Sequence, residues 1–245
     1  MRVEILGAQI DGLTMEETLQ KIESFIQEGT PHQAITLNAE ILYRAVHQPA
    51  LMEIINQADL VTPDGAGILW AARKLGRPVP ERVTGIDLLQ EIARKGASAG
   101  WKLFLYGGKP GVARQAAANL QKQYPALEIA GTAHGYLTEE EMPSLIEEIR
   151  EARPQILLVA LGAPKQEFWI KENLRKTGVP VAIGVGGSFD VIAGHVKRAP
   201  VWAQKAHLEW FYRLVKEPWR YKRMMSLPKF MGLVWRESRK KSSGE

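Results

Sequence analysis

The residue best suited to chemistry in this chain is an aspartate within Thr62-Pro63-Asp64-Gly65, which follows a short apolar run and precedes a helical pattern through Ile68, Leu69, Ala72 and Leu75. Open α/β sheets bind ligands outside the carboxyl ends of their strands. A carboxylate there, ionised at neutral pH, can take the proton of a hydroxyl within its reach. Asp is also a preferred helix N-cap and Pro-Asp-Gly a common turn, so a capping role for Asp64 stands beside the chemical one. Other polar residues fall at similar places: Thr36, Asn38 and Glu40 at the end of one apolar run, and Gln166 after the Gly162-Ala163-Pro164-Lys165 that closes another. The turn Gly107-Gly108-Lys109-Pro110-Gly111 opens a helical pattern. Such a turn exposes backbone N–H groups at a positive dipole end, which suits a diphosphate. Its spacing matches neither GxGxxG nor GxxxxGK[ST], and a tight βα turn without a ligand explains it equally well. A further flexible run, Gly184, Gly186, Gly187 and Gly194, surrounds Ser188, Phe189 and Asp190.

The elements that must position these residues alternate. Apolar, β-favouring runs at 33–37, 58–62, 101–106, 128–132, 155–161 and 180–185 are separated by helical patterns at 14–27, 39–55, 65–74, 87–95, 110–123, 138–151 and 164–176. This predicts an α/β fold, a Rossmann-like and mostly parallel sheet with helices on both faces. Residues 3–13 predict a short hairpin at the sheet edge, and 240–245 are expected to be disordered.

The net charge of +5 is unevenly spread. Residues 1–195 hold 19 Lys/Arg and 23 Asp/Glu, whereas residues 196–245 hold 13 and 4, together with four of the seven tryptophans (Trp202, Trp210, Trp219, Trp235). The chain therefore divides into an α/β catalytic body, 1–195, and a basic, aromatic helical appendage, 196–245. The chain has no cysteine, which excludes disulfides, thiolate metal sites and cysteine nucleophiles. No secretory signal opens it and no 18-residue apolar run occurs, so a cytosolic chain is expected. DxD, HExxH and GxSxG are absent, and the five histidines are scattered. What remains is a metal-free and cofactor-free mechanism built on Asp64 and arginines.

In 201–216, Val201, Trp202, Ala206, Trp210, Phe211 and Leu214 recur at near-helical spacing; 219–225 place aromatic and basic residues side by side, and Pro228 is expected to break the segment. Such a helix suits the interface plane of an anionic membrane, where each Lys or Arg adds roughly 1 kcal/mol. Packing of the same stripe on the body or at a subunit interface is the alternative. A basic tail is also the footprint of a nucleic-acid-binding module, but that reading leaves the body motifs unexplained, so no nucleic-acid partner is expected.

TLNAE at 36–40, TPDGAGILWAARKLG at 62–76, ERVTGIDL at 81–88, LYGGKPGVA at 105–113, LVALGAPKQEFW at 158–169 and GVGGSFDVIAGHVKRAPVW at 184–202, taken in order, resemble the WecG/TagA/CpsF glycosyltransferases. The segment HLEWFYRLVKEPWRYKRMM at 207–225 is similar to that family's C-terminal appendage. Within the family the likeness is greatest to the N-acetylmannosaminyltransferases of wall teichoic acid synthesis. The resemblance implies inverting, β-1,4 transfer of N-acetylmannosamine from UDP-ManNAc to the C4 hydroxyl of GlcNAc on undecaprenyl diphosphate. Asp64 would be the general base. Arg213, Arg220 and Arg223 would stabilise the departing UDP, for which a guanidinium fork is well shaped. Arg82 would hold the acceptor diphosphate, and Thr36, Asn38 and Gln166 would position sugar groups, with Gly107, Gly108 and Asp190 as further binding candidates. The lipid carrier implies work at the inner face of the cell membrane, with the tail as both dock and lid; a homo-oligomer is compatible. Transfer of UDP-ManNAcA or another sugar remains open within the family.

Overall fold

The computed structural model describes residues 2–205, 209–216, 221 and 225–242. The body runs β1 (Arg2–Ile5), β2 (Ala8–Asp11), α1 (Met15–Glu28), β3 (His32–Leu37), α2 (Ala39–His47), α3 (Pro49–Gln57), β4 (Leu60–Pro63), α4 (Ala66–Lys74), α5 (Gly85–Ala99), β5 (Lys102–Gly107), α6 (Val112–Gln123), β6 (Glu128–Ala133), α7 (Met142–Ala152), β7 (Ile156–Ala160), α8 (Lys165–Thr177), β8 (Val181–Gly184) and α9 (Ser188–Ile192). Helices α10 (Val201–Lys205), α11 (Glu209–Lys216) and α12 (Ser226–Ser242) follow. Strands β3 to β8 form one parallel sheet in the order β4-β3-β8-β7-β5-β6. The α/β class expected from the alternation is therefore the fold that forms.

The central strands are apolar on both sides because both faces are covered, as parallel sheets require. Successive residues point to opposite faces. Ala34, Leu60, Leu103, Leu105, Leu158 and Ile183 pack under α1, α5 and α6. On the other face, Ile35, Leu37 and Val61 meet α2, α3 and α4, and Phe104, Tyr106, Leu157 and Val159 meet α7 and α8.

Four local expectations are corrected. The helix predicted over 39–55 is two helices, because Pro49 lacks an N–H and is suited only to a first turn; α2 ends at His47 and α3 starts on the proline. The helix predicted from 138 begins at Met142. The β1–β2 hairpin is a separate two-stranded sheet that guards the β4 edge with side chains. Asp11 Oδ2 accepts from Val61 N at 2.8 Å, and Arg2 Nη2 donates to Ala58 O at 2.7 Å, which leaves less free edge for another strand. Finally, residues 240–242 continue α12, which packs along α2 and α4 with Phe230 and Val234 fully buried in the body's core. Pro228, expected to break the segment, instead lies inside the first turn of α12, where a missing N–H is tolerated.

Candidate active site

Asp64 sits immediately beyond β4, at the carboxyl end of the sheet. Its backbone N–H donates to Leu37 O at 2.9 Å, which ties it to the end of the neighbouring β3. The N-cap of α4 is Gly65, with φ near 90°, a backbone region that suits glycine. The Asp64 carboxylate turns instead to the start of α5, where its Oδ2 accepts from Gly85 N at 3.3 Å. The segment that brings Gly85 there is strapped along β4: Val83 N donates to Pro63 O at 3.1 Å, and Thr62 Oγ1 donates to Val83 O at 3.2 Å. Thr84 caps α5 by accepting from Asp87 N at 3.2 Å, and its hydroxyl donates to Asp87 Oδ2 at 2.6 Å. The carboxylate thus lies at the N-terminal end of α5.

Thr36 and Asn38 flank this position from β3. Thr36 is buried, and its Oγ1 donates to Gly184 O at 2.9 Å, linking β3 to β8. A Cβ on Gly85 would lie 3.1 Å from the same oxygen, so the α5 start and Thr36 are in close contact. Asn38 is the N-cap of α2, its Oδ1 accepting from Ile41 N at 3.0 Å. Gln166 lies inside the protein at the start of α8. Its Oε1 accepts from Gly186 N at 3.0 Å, so it fixes the glycine loop after β8, and its Nε2 donates to Glu167 Oε1 at 2.9 Å. Burial pushes the Glu167 carboxyl above its ordinary value, against the lowering effect of the Gln166 bond, and Oε2 has no hydrogen-bond partner.

Gly107 and Gly108 close the β5 turn at the far side of the sheet. A Cβ on Gly107 would fall 2.5 Å from the Ala160 carbonyl, so close approach of two strand ends already requires this glycine. Beside them, at the end of β6, is a hollow of about 460 Å³ lined by residues including Arg114, His134, Glu141 and Glu148. Neither Asp64 nor its partners line it. Asp190 is partly buried in α9, and its backbone carbonyl accepts from His195 N and Val196 N.

Arg82 is tied to the tail. Its Nη1 meets Glu209 Oε2, at the start of α11, at 2.7 Å. The other Glu209 oxygen lies 3.6 Å from Arg198 Nε, while Arg198 Nη2 meets Asp87 Oδ1 at 2.7 Å. The polar chain Arg82–Glu209–Arg198–Asp87–Thr84 therefore ends at the residue before Gly85, whose N–H donates to Asp64.

A model of the glycosyl transferase WecG/TagA/CpsF family matches residues 3–244. The chain belongs to this family. It is similar to the N-acetylglucosaminyldiphosphoundecaprenol N-acetyl-beta-D-mannosaminyltransferase of Bacillus subtilis (strain 168), with 35% identity over 208 residues, 85% of this chain and 80% of that protein. The protein of the same name from Staphylococcus aureus (strain MW2) is 34% identical over 241 residues, 98% of this chain and 94% of that protein.

Among the appendage arginines expected to act in this glycosyltransferase, Arg213 lies on helix α11. Arg220 and Arg223 lie outside the described residues. Sequence reasoning passed over Thr84, Asp87, Arg198 and Glu209. The T-x-x-D spacing at 84–87 is a capping signal that marks the start of α5, but nothing local pairs Arg82 with a residue 127 positions away.

Proposed function

We propose that the chain transfers N-acetylmannosamine from UDP-ManNAc to the C4 hydroxyl of GlcNAc-diphosphoundecaprenol, inverting the anomeric carbon to form a β-1,4 bond. The observation that carries this reading is the Asp64 carboxylate at the carboxyl end of β4, oriented by Gly85 N in a chain whose relatives bear the name of that activity. In a single displacement, Asp64 takes the proton of the acceptor hydroxyl as that oxygen attacks the anomeric carbon and UDP leaves. Thr36, Asn38, Gln166, Gly107, Gly108 and Asp190 remain the proposed sugar and nucleotide contacts. Besides that proposed contact, Thr36 bonds the Gly184 carbonyl at the end of β8 and Gln166 bonds the loop that follows it. Charge on the departing diphosphate is met by Arg213, Arg220 and Arg223 in place of a divalent ion.

Membrane docking through the tail, at the inner face, belongs to the same proposal. No helix among the described residues is long and apolar enough to cross a membrane. Eight of the ten exposed large apolar side chains among those residues lie in the appendage: Trp202, Trp210, Phe211, Val215, Tyr221, Met225, Met231 and Trp235. Because Phe230 and Val234 belong to the core, deleting the appendage would also damage the body, and point substitutions are the proper test of a lid.

The deciding experiment is sugar transfer to a short-chain GlcNAc-diphosphate-lipid with UDP-ManNAc, UDP-GlcNAc or UDP-ManNAcA, each in EDTA. Product from UDP-ManNAc alone is expected. Product only from another donor overturns the donor assignment, and activity only after adding Mg²⁺ or Mn²⁺ overturns the metal-free mechanism.

A further inference from the structure

We infer that Glu167 is a positioning residue: its buried side chain selects the orientation of the Gln166 amide and, through that amide, fixes the loop after β8. Its bearing on activity rests on the transferase reading. A side-chain amide donates at one end and accepts at the other, so the groups it faces set its orientation. Gln166 faces two. Gly186 N donates to its Oε1 at 3.0 Å, and Glu167 Oε1 accepts from its Nε2 at 2.9 Å. Turned over, the amide would set N–H against N–H at Gly186. A Cβ on Gly184 would lie 2.5 Å from Gln166 Nε2, so the amide rests directly against the end of β8. Thr36 Oγ1 holds the Gly184 carbonyl at 2.9 Å. The end of β8 is thus clamped from β3 and from α8, and the clamped loop leads into α9, which carries Asp190.

Glu167 Oε2 is buried without a hydrogen-bond partner. An apolar side chain would avoid that cost; what it cannot supply is the acceptor for Gln166 Nε2. Burial is the strongest influence on the carboxyl and favours its neutral form. The Gln166 bond and the charge of Arg44 on α2, itself paired with Glu40, act in the other direction. A neutral carboxyl still accepts at its carbonyl oxygen, so glutamine at this position offers the same contact without the charge. The backbone here is held separately: Gln33 Nε2 donates to Glu167 O at 3.1 Å, and Gln166 N to Gly162 O at 3.1 Å. Replacing the Glu167 side chain therefore leaves the start of α8 tied to its neighbours.

The test uses the full chain and two readouts, with thermal melts to verify folding. One is initial-rate transfer from UDP-ManNAc to the short-chain lipid acceptor; the other is hydrogen–deuterium exchange of residues 184–190. Glu167→Leu is expected to lower kcat/KM about tenfold and to speed exchange about tenfold, the scale of one hydrogen bond lost. Glu167→Gln is expected to restore both to within about threefold of wild type. Gln166→Leu and the double variant Gln166→Leu/Glu167→Leu should be equally impaired, because Glu167 acts through Gln166. Glu167→Met, closer in length to glutamate, serves if Glu167→Leu does not fold. The inference is overturned by a folded Leu or Met variant within twofold of an active wild type in either readout. Impairment of Glu167→Gln equal to that of Glu167→Leu overturns it too, as do losses that add in the double variant. Exchange that follows the expected pattern, in a protein that transfers no sugar from any donor, would leave the loop clamp standing and remove the transferase reading.

Discussion

Replacing Asp64 by Asn separates the chemistry of this residue from its structural role. The hydrogen bond from Gly85 N to its Oδ2 is long at 3.3 Å, and an Asn side chain offers the same acceptor oxygen. The start of α5 should therefore stay in place, with a stability change below about 1 kcal/mol, the scale of one ordinary hydrogen bond. What Asn lacks is the ability to take a proton. General-base assistance contributes roughly 10²- to 10⁴-fold, so turnover should fall by that factor, about 2.7 to 5.5 kcal/mol on the barrier. The assay is initial-rate transfer from UDP-ManNAc to the short-chain lipid acceptor, accompanied by a thermal melt. Asp64→Ala, which also removes the acceptor for Gly85 N, should add a loss of stability to the same loss of turnover. If Asp64→Asn melts like the wild type and turns over within threefold of it, Asp64 is not the base, and the strand-end argument fails at its centre.

Three further outcomes follow from packing and charge. Burial raises the Glu167 carboxyl, so the native state holds this proton more tightly than the unfolded chain; stability then falls as pH rises from the ordinary carboxylate value through the folded one, by at most about 1.4 kcal/mol per pH unit. Glu167→Gln, which keeps an acceptor for Gln166 Nε2, should raise the melting temperature more at pH 8 than at pH 5; equal shifts would contradict this. Phe230→Ala empties a fully buried site where α12 meets the core, and should cost about 3 to 5 kcal/mol in urea unfolding; a loss below about 1 kcal/mol would show that α12 is not part of the body's cooperative unit. Replacing Trp210 and Phe211, both exposed on α11, by Ser should abolish flotation with anionic vesicles while leaving the thermal melt unchanged; undiminished flotation would remove α11 from the membrane surface.

The local sequence was sufficient for what depends on neighbours a few positions apart. Apolar, β-favouring runs alternating with helical patterns yielded the parallel α/β sheet, and the break before Gly65 placed Asp64 at a strand end. The charge asymmetry of residues 196–245 needed only counting. Tertiary structure decided everything that depends on separation along the chain being erased. Gly85, 21 residues downstream, becomes the partner of Asp64 because Val83 and Thr62 strap the intervening segment to β4. Gln166 is turned inward to hold Gly186, a role its position at a strand end does not distinguish from contact with a sugar. Phe230 and Val234 join the core while Trp235, the next residue, stays exposed, a choice set by which face of α12 meets α2 and α4. Arg82, Glu209 and Arg198 carry no common local pattern. A charge reads in sequence as solvated until the fold brings an opposite charge within reach, and only the folded chain shows that one carboxylate lies between two arginines.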